Sequence, residues 1–392
     1  MSQKSNHRAS PASLERRRFL RVSAKYGLTT AILASAGGYL WSASAVAQTA
    51  ADEEAKKKNA KIEMTLATEY KLGSYQGYPI MQEQFKQNIQ NSTKGVVYVN
   101  LYPAGQLGVG PALAQKVQTG TVHCAAVSLS NFSPFAPIVD VINIPFWCGE
   151  SQRFSNLTSS KAWSDEVNPK VNAKGYKAIF YYSVGPRTMS KVKAAATAGR
   201  VIIKTPSDLQ GIKVRIPASE MLAQIYRLSG GNPTPVAWGE TPTALRQGVA
   251  DAIDISIGGF WAFGFIDLMA SVTLLSQVPD SQMFACNLDW FNNLPKAVQT
   301  QFEEAGEITL AQTWEQLPKA LNLSMQEMKK AGVQFYNPTA AERKLWVDAA
   351  GEQRPEWDSF KIKLAQSTAN FDKLKRAADI KGKYTVIDYI SA

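Results

Sequence analysis

The sequence predicts an α/β protein made of two halves. Three observations carry that expectation: strand-like and helix-like stretches alternate from residue 62 onward, the alternation restarts after Gly185, and the chain beyond Leu294 is mostly helical. A β-α-β order implies parallel strands joined by crossover helices, and hence sheets covered on both faces. With 392 residues, at roughly 150 per domain, the chain has length enough for two such cores.

Residues 1–47 read as an export leader and stand outside that fold. Arg16, Arg17 and Arg18 precede Phe19, Leu20 and Arg21, which fits the twin-arginine pattern R-R-x-F-L-K with Arg21 in the lysine place. An uncharged stretch from Tyr26 to Ala47 follows and ends in Ala45-Val46-Ala47, a small-x-small cleavage site. A membrane anchor is the competing reading, but Gly, Ser, Thr and Ala leave the stretch too weakly apolar to hold firmly in lipid. Cleavage also changes the charge. The whole chain has 43 basic and 32 acidic residues, a formal net of +11; the leader holds seven of the basic residues and one acid. The 345 residues left carry 36 basic and 31 acidic side chains, a net of +5. A mild, interspersed excess gives no support to a nucleic-acid partner. The only basic run, AKKKNAK at 55–61, falls in a stretch (48–61) expected as a solvated linker.

The first half opens with IEMTLAT (62–68), where Ile62, Met64 and Leu66 share one face at period two. In PIMQEQFKQNIQ, Met81, Phe85 and Ile89 recur at helical spacing. The Lys94-Gly95 turn leads into the strand VVYVNLY, then the helix-like ALAQKVQTG and the strand VHCAAV. The second half begins with TMSKV as a strand. Thr205 is placed to cap a helix with Pro206 at its first position. IKVRI is a strand, SEMLAQIYRLSGG a helix ended by Gly230, GETPTALRQG helical, and AIDIS another short strand. Residues 294–330 are expected as helix broken by Pro318, followed by helices over 340–350 and 355–377.

Most catalytic chemistry lacks its residues. His7 belongs to the leader, so His123 is the only histidine of the processed chain, and it lies in an apolar strand. A paired-histidine metal site, a G-x-S-x-G elbow and a P-loop are all missing, and GQLGVG at 105–110 has the wrong spacing for a dinucleotide loop. Cys124, Cys148 and Cys286 are an odd number with no CxxC; they read as small buried residues, with a Cys124–Cys148 bridge as the alternative.

Arg215 is the informative residue. In IKVRI, Ile212, Val214 and Ile216 point to one face, leaving Lys213 and Arg215 on the other. A guanidinium inside a covered sheet needs an anion, supplied either by an internal carboxylate or by a ligand. The planar guanidinium matches a carboxylate through two parallel hydrogen bonds.

The run from Lys204, KTPSDLQGIKVRIPASEMLAQIYRLSGGNPTPVAWGETPTALRQGVADAID, closely resembles the central region of DctP-type solute-binding proteins of TRAP (tripartite ATP-independent periplasmic) transporters. LYPAGQLG (101–108), VQTGTVHCAAVS (117–128), IPFW (144–147) and NLDWFNNLPKAVQ (287–299) match in order. The resemblance implies a two-lobed periplasmic-binding-protein-like fold with mixed sheets, helices on both faces and long C-terminal helices bridging the lobes. Lobe I would take 62–186 plus about 276–318, and lobe II 187–275 plus about 319–392. It further implies capture of an organic acid in the cleft by Arg215, with Arg187 as a second ligand arginine. Glu69, Tyr70, Asn131, Trp238 and the pair Asp254-Ile255 correspond to cleft positions. Trp147, Trp238, Phe260 and Trp261 are candidates either for an aromatic lining or for core packing. No cofactor is expected, though a cation beside the ligand could use Asp254. The implied partners are the organic acid and the membrane permease subunits, and the implied location is the periplasm of a Gram-negative bacterium. A binding protein or sensor outside such a transporter, and an exported carboxylate-based enzyme, are the alternatives.

Overall fold

The computed structural model describes residues 52–72, 81–196 and 201–389. The twin-arginine run, the uncharged stretch and the cleavage site lie outside the described residues.

Eleven strands occur among the described residues: β1 (Ile62–Thr68), β2 (Val97–Tyr102), β3 (Cys124–Ser128), β4 (Tyr176–Pro186), β5 (Met189–Val192), β6 (Lys213–Ile216), β7 (Asn232–Pro235), β8 (Ala252–Ile253), β9 (Met269–Thr273), β10 (Pro279–Asn287) and β11 (Gln334–Tyr336). They form two sheets, one ordered β2-β1-β3-β10-β4 and the other β11-β9-β5-β8-β6-β7. In the first, β1 runs parallel to β2 and β3, as the β-α-β reading requires, while β10 returns antiparallel between β3 and β4. In the second, β6 is parallel to β7 and β8, and β5 is antiparallel to β8 and β9. Both sheets are therefore mixed. The periodicity missed β7 and β11, which are only three or four residues long, and β4, β9 and β10, whose residues are buried on both faces over most of their length and so show little alternation.

Each sheet defines a lobe, and the chain crosses between them more than once. The crossing strands hydrogen-bond to each other: Arg187 N–H donates to the Val278 carbonyl at 2.9 Å, and Ser276 N–H to the Arg187 carbonyl at 3.1 Å. Gly185, at this crossing, has φ 112° and a Cβ there would lie 3.2 Å from Leu321. Only glycine takes that backbone shape without strain.

The helix Lys296–Lys330 runs unbroken through Pro318, where the sequence suggested an interruption. Its earlier part leans on the first lobe: Asn88 Nδ2 donates to Thr309 Oγ1 and Gln312 Oε1, both at 2.9 Å. Its later part leans on the second, where Ser324 Oγ donates to the Ile257 carbonyl at 2.6 Å. Burial along this length outweighs the roughly 3 kcal/mol that an interior proline costs. Residues 52–59, expected as linker, are also helical. Acids precede lysines along it, which suits the helix dipole, and Glu53 pairs with Lys86 at 2.6 Å. The helix Ala340–Ala350 sits on the second lobe through Trp346 Nε1, which donates to the Lys204 carbonyl. The helix Thr368–Asp379 instead returns to the first lobe, with Phe371 against Trp147 and Asn156 Nδ2 donating to the Ala378 carbonyl. The sequence reading had placed that stretch with the second lobe.

All three cysteines are free and buried. Cys124 lies opposite Cys286 across the β3–β10 ladder, and Cys148 Sγ contacts the Ile142 carbonyl, so the alternative Cys124–Cys148 bridge is not formed. His123 is a packing residue: its Nδ1 accepts from Thr65 N–H at 3.0 Å and its ring stacks on Trp290.

Candidate functional site

A cavity of ≈ 170 Å³ opens between the lobes. The carboxyl ends of the parallel strands converge on it, as ligand sites of open α/β sheets do. Beyond the end of β1 stand Glu69 and Tyr70; Asn131 follows β3; Arg215 comes from β6; Trp238 follows β7; Ile255 follows β8. Arg187 lies at the lobe crossing, between β4 and β5, and also reaches the wall. Seven of the residues singled out in the sequence are thereby brought together.

Two are not. Trp261 lies on the helix Ile257–Ala262 and turns away from the cavity. Gly259 and Phe263 line it instead, because residues four apart share a helix face and 261 falls on the other side. Asp254 is fully buried behind the wall. Its Oδ1 accepts from Arg187 Nη1 at 3.1 Å and its Oδ2 from the Tyr226 hydroxyl at 2.9 Å. Those oxygens serve an internal network, and no group of three or more His, Cys, Asp or Glu that could hold a metal ion occurs among the described residues. Of the other aromatic candidates, Trp147 and Phe260 are fully buried core.

The two arginines differ. Both side chains are almost fully buried, at 3% exposure. Arg187 is held on both sides: Nη1 on Asp254, and Nη2 on Asp280 Oδ1 at 2.8 Å. Asp280 also accepts Ser256 N–H at 3.0 Å, which ties the crossing strands together. Arg187 thus joins β10 of the first lobe to the end of β8 in the second; it also lines the cavity, and its buried Nε has no hydrogen-bond partner. Burial pushes Asp254 up to about 6 against the pull of Arg187, Tyr226 and Arg215, and Asp280 adds to the push.

Arg215 has no such partner. Its Nε and Nη2 donate to one backbone carbonyl, that of Val236, at 3.1 and 2.6 Å. Its guanidinium carbon lies 5.4 Å from the centre of the Trp238 ring. Burial pulls Arg215 down to about 10, so it stays cationic at neutral pH. No carboxylate lies within ion-pair distance of it among the described residues. Glu69 faces the same space, accepting Gly110 N–H at 2.8 Å and Asn131 Nδ2 at 2.9 Å. Burial raises Glu69 above the usual carboxylate range, although those two donors and Arg215 oppose it.

Sequence reasoning missed Asp280, Gln282, Val184 and Phe263 on the wall. Asp280 and Gln282 sit two apart on β10, so they share a face. Two polar residues at that spacing within VPDSQMFACN were the available signal.

Two α/β lobes, crossing strands and a buried unpaired cation in the cleft define a ligand receptor. The sequence profile of DctP, the bacterial extracellular solute-binding protein family 7, matches residues 74–361, and the chain belongs to that family. The 2,3-diketo-L-gulonate-binding periplasmic protein YiaO of Escherichia coli (strain K12) is 26% identical over 288 residues, covering 72% of this chain and 84% of the relative. The C4-dicarboxylate-binding periplasmic protein DctP of Vibrio cholerae is 23% identical over 276 residues, or 70% and 79% of the two chains. A TRAP periplasmic solute-binding protein of Shewanella oneidensis, crystallised with bound succinate, has the same fold at a TM-score of 0.72 and 20% identity, covering 81% of this chain and 100% of that one. The family comprises periplasmic solute receptors of transporters and not enzymes. Among the described residues, no helix is long and apolar enough to cross a membrane.

Proposed function

We propose that this receptor captures a small organic acid, with Arg215 fixing its carboxylate, and hands it to the membrane permease subunits of a TRAP transporter. The twin-arginine leader, cleaved after Ala47, would carry the folded chain to the periplasm. The observation that supports the carboxylate contact is the state of Arg215: buried, cationic, directed at the cleft and bonded only to a carbonyl. A buried charge without a counter-charge is costly, and an entering carboxylate offsets that cost. Lobe closure then excludes water and strengthens the contact.

A charged hydrogen-bonded contact contributes roughly 1.5–3 kcal/mol net, so Arg215→Ala should weaken binding about tenfold to a few hundredfold. Arg215→Lys keeps the charge and loses the two-pronged geometry. Titration calorimetry on Arg215→Lys with wild-type affinity would sink the bidentate contact. Ligands for that experiment come from a thermal-shift screen of organic acids, where a ligand at 100 times its Kd adds about 2.7 kcal/mol. A screen blank across all carboxylates would overturn the reading as a whole.

A further inference from the structure

The charges around the cavity specify more than the presence of an acid. Arg187 is already neutralised by Asp254 and Asp280, which leaves Arg215 as the one cationic wall residue without a carboxylate partner among the described residues. A ligand bearing a second carboxylate would bring it towards Glu69 and Asp280, which line the same space. Like charges in a water-poor cleft disfavour that strongly.

Much of the remaining wall, beginning at the Trp238 ring beside Arg215, is apolar. Tyr70, Trp238 and Phe263 form a cluster with ring centroids 5.2–5.7 Å apart, drawn from both lobes. Val184, Val236 and Ile255 continue that surface. Several polar wall groups are engaged with one another: Asn131 Nδ2 donates to Glu69, and the Tyr70 hydroxyl donates to Gln282 Oε1 at 3.1 Å, which leaves Ser128 Oγ and Arg187 Nε as the buried wall atoms without a partner among the described residues. A polyhydroxylated ligand needs a partner for every hydroxyl it desolvates, and two such atoms are fewer than a sugar acid's hydroxyls require.

We propose, resting on the reading that Arg215 takes the carboxylate, that the ligand is a monocarboxylic acid with an aromatic or branched apolar body. The Tyr70–Trp238–Phe263 cluster receives that body, and dicarboxylates and sugar acids are selected against.

The test is titration calorimetry of the leader-free protein with phenylacetate, isovalerate, succinate and glucuronate. The expected result is that phenylacetate or isovalerate binds about ten- to a hundredfold more tightly than succinate and glucuronate. Trp238→Ala should weaken the apolar acid about tenfold, and Asp280→Asn should narrow the gap to succinate by removing one of the two carboxylates that line the cavity. If Asp280→Asn does not fold, Trp238→Ala carries the test alone. Succinate or glucuronate binding as tightly as the apolar acids, and still weakened by Arg215→Lys, overturns the ligand class and leaves the carboxylate contact standing. No binding of any of the four acids, with a blank organic-acid screen, overturns the carboxylate reading and this proposal together.

Discussion

Arg187 and Arg215 reach the same cavity, one from the lobe crossing and one from β6, with equal burial but different partners. Arg187 lies between two carboxylates and fastens the lobe crossing. Arg215 rests on one carbonyl and one indole face, its charge held in reserve. The residue type alone does not separate the two roles. The partners do: carboxylates match the charge of Arg187 and none matches that of Arg215 among the described residues, and on that difference rests the proposal that Arg215 takes the ligand's carboxylate.

Removing each arginine breaks the comparison most directly. Arg187→Leu strands Asp254 and Asp280 as unpaired buried carboxylates, so chemical denaturation should show a loss of about 3–5 kcal/mol. Arg215→Met strands no carboxylate, and its ligand-free stability should stay within about 1 kcal/mol of wild type, while ligand affinity falls about tenfold to a few hundredfold. Equal stability losses in the two variants would erase the distinction.

A half-buried carboxylate, Asp388, sharpens it. Asp388 has no arginine: its Oδ2 accepts Ser151 N–H at 3.1 Å, and burial pushes it up to about 6. A carboxyl group raised above its unfolded value near 3.8 holds its proton more tightly in the folded state. This group therefore adds stability as pH falls from about 6 towards 4, and subtracts a constant amount above about 6. Asp388→Asn should accordingly stabilise the protein at pH 8 by about 1–3 kcal/mol and lose that advantage by pH 4, as read from Tm across pH. An advantage independent of pH would show that packing, and not charge, sets the cost.

The smallest effect concerns the thiols. Cys124, Cys148 and Cys286 are all buried, so a thiol reagent should label none of them until the chain unfolds, and then all three. A thiol labelled in the native protein would show that the first lobe opens locally.

Much of this was legible in the sequence. Arg215 sits on its strand, on the face opposite Val214, and the order of elements through both halves follows the periodicity. What escaped was tertiary. The internal pairing of Arg187 was hidden because Asp280, its counter-charge, comes from a strand ninety-odd positions away whose residues are buried on both faces. Trp261 looked like cleft because a sequence lists aromatic residues without their helical phase, and Phe263 has the phase that faces inward.

Pro318 escaped for a related reason, since local propensity yields to the packing of a helix on both lobes. Its position has a mechanical consequence. It lies between the contacts to Asn88 in the first lobe and the Ser324 contact in the second, three residues from Leu321, whose side chain faces the space a Cβ at Gly185 would take. A helix bends most cheaply where a rung of its ladder is missing. At 1.5 Å per residue these 35 residues form a strut of roughly 50 Å, and Pro318 removes one rung of its hydrogen-bond ladder between the two sets of lobe contacts, which makes that point the strut's softest.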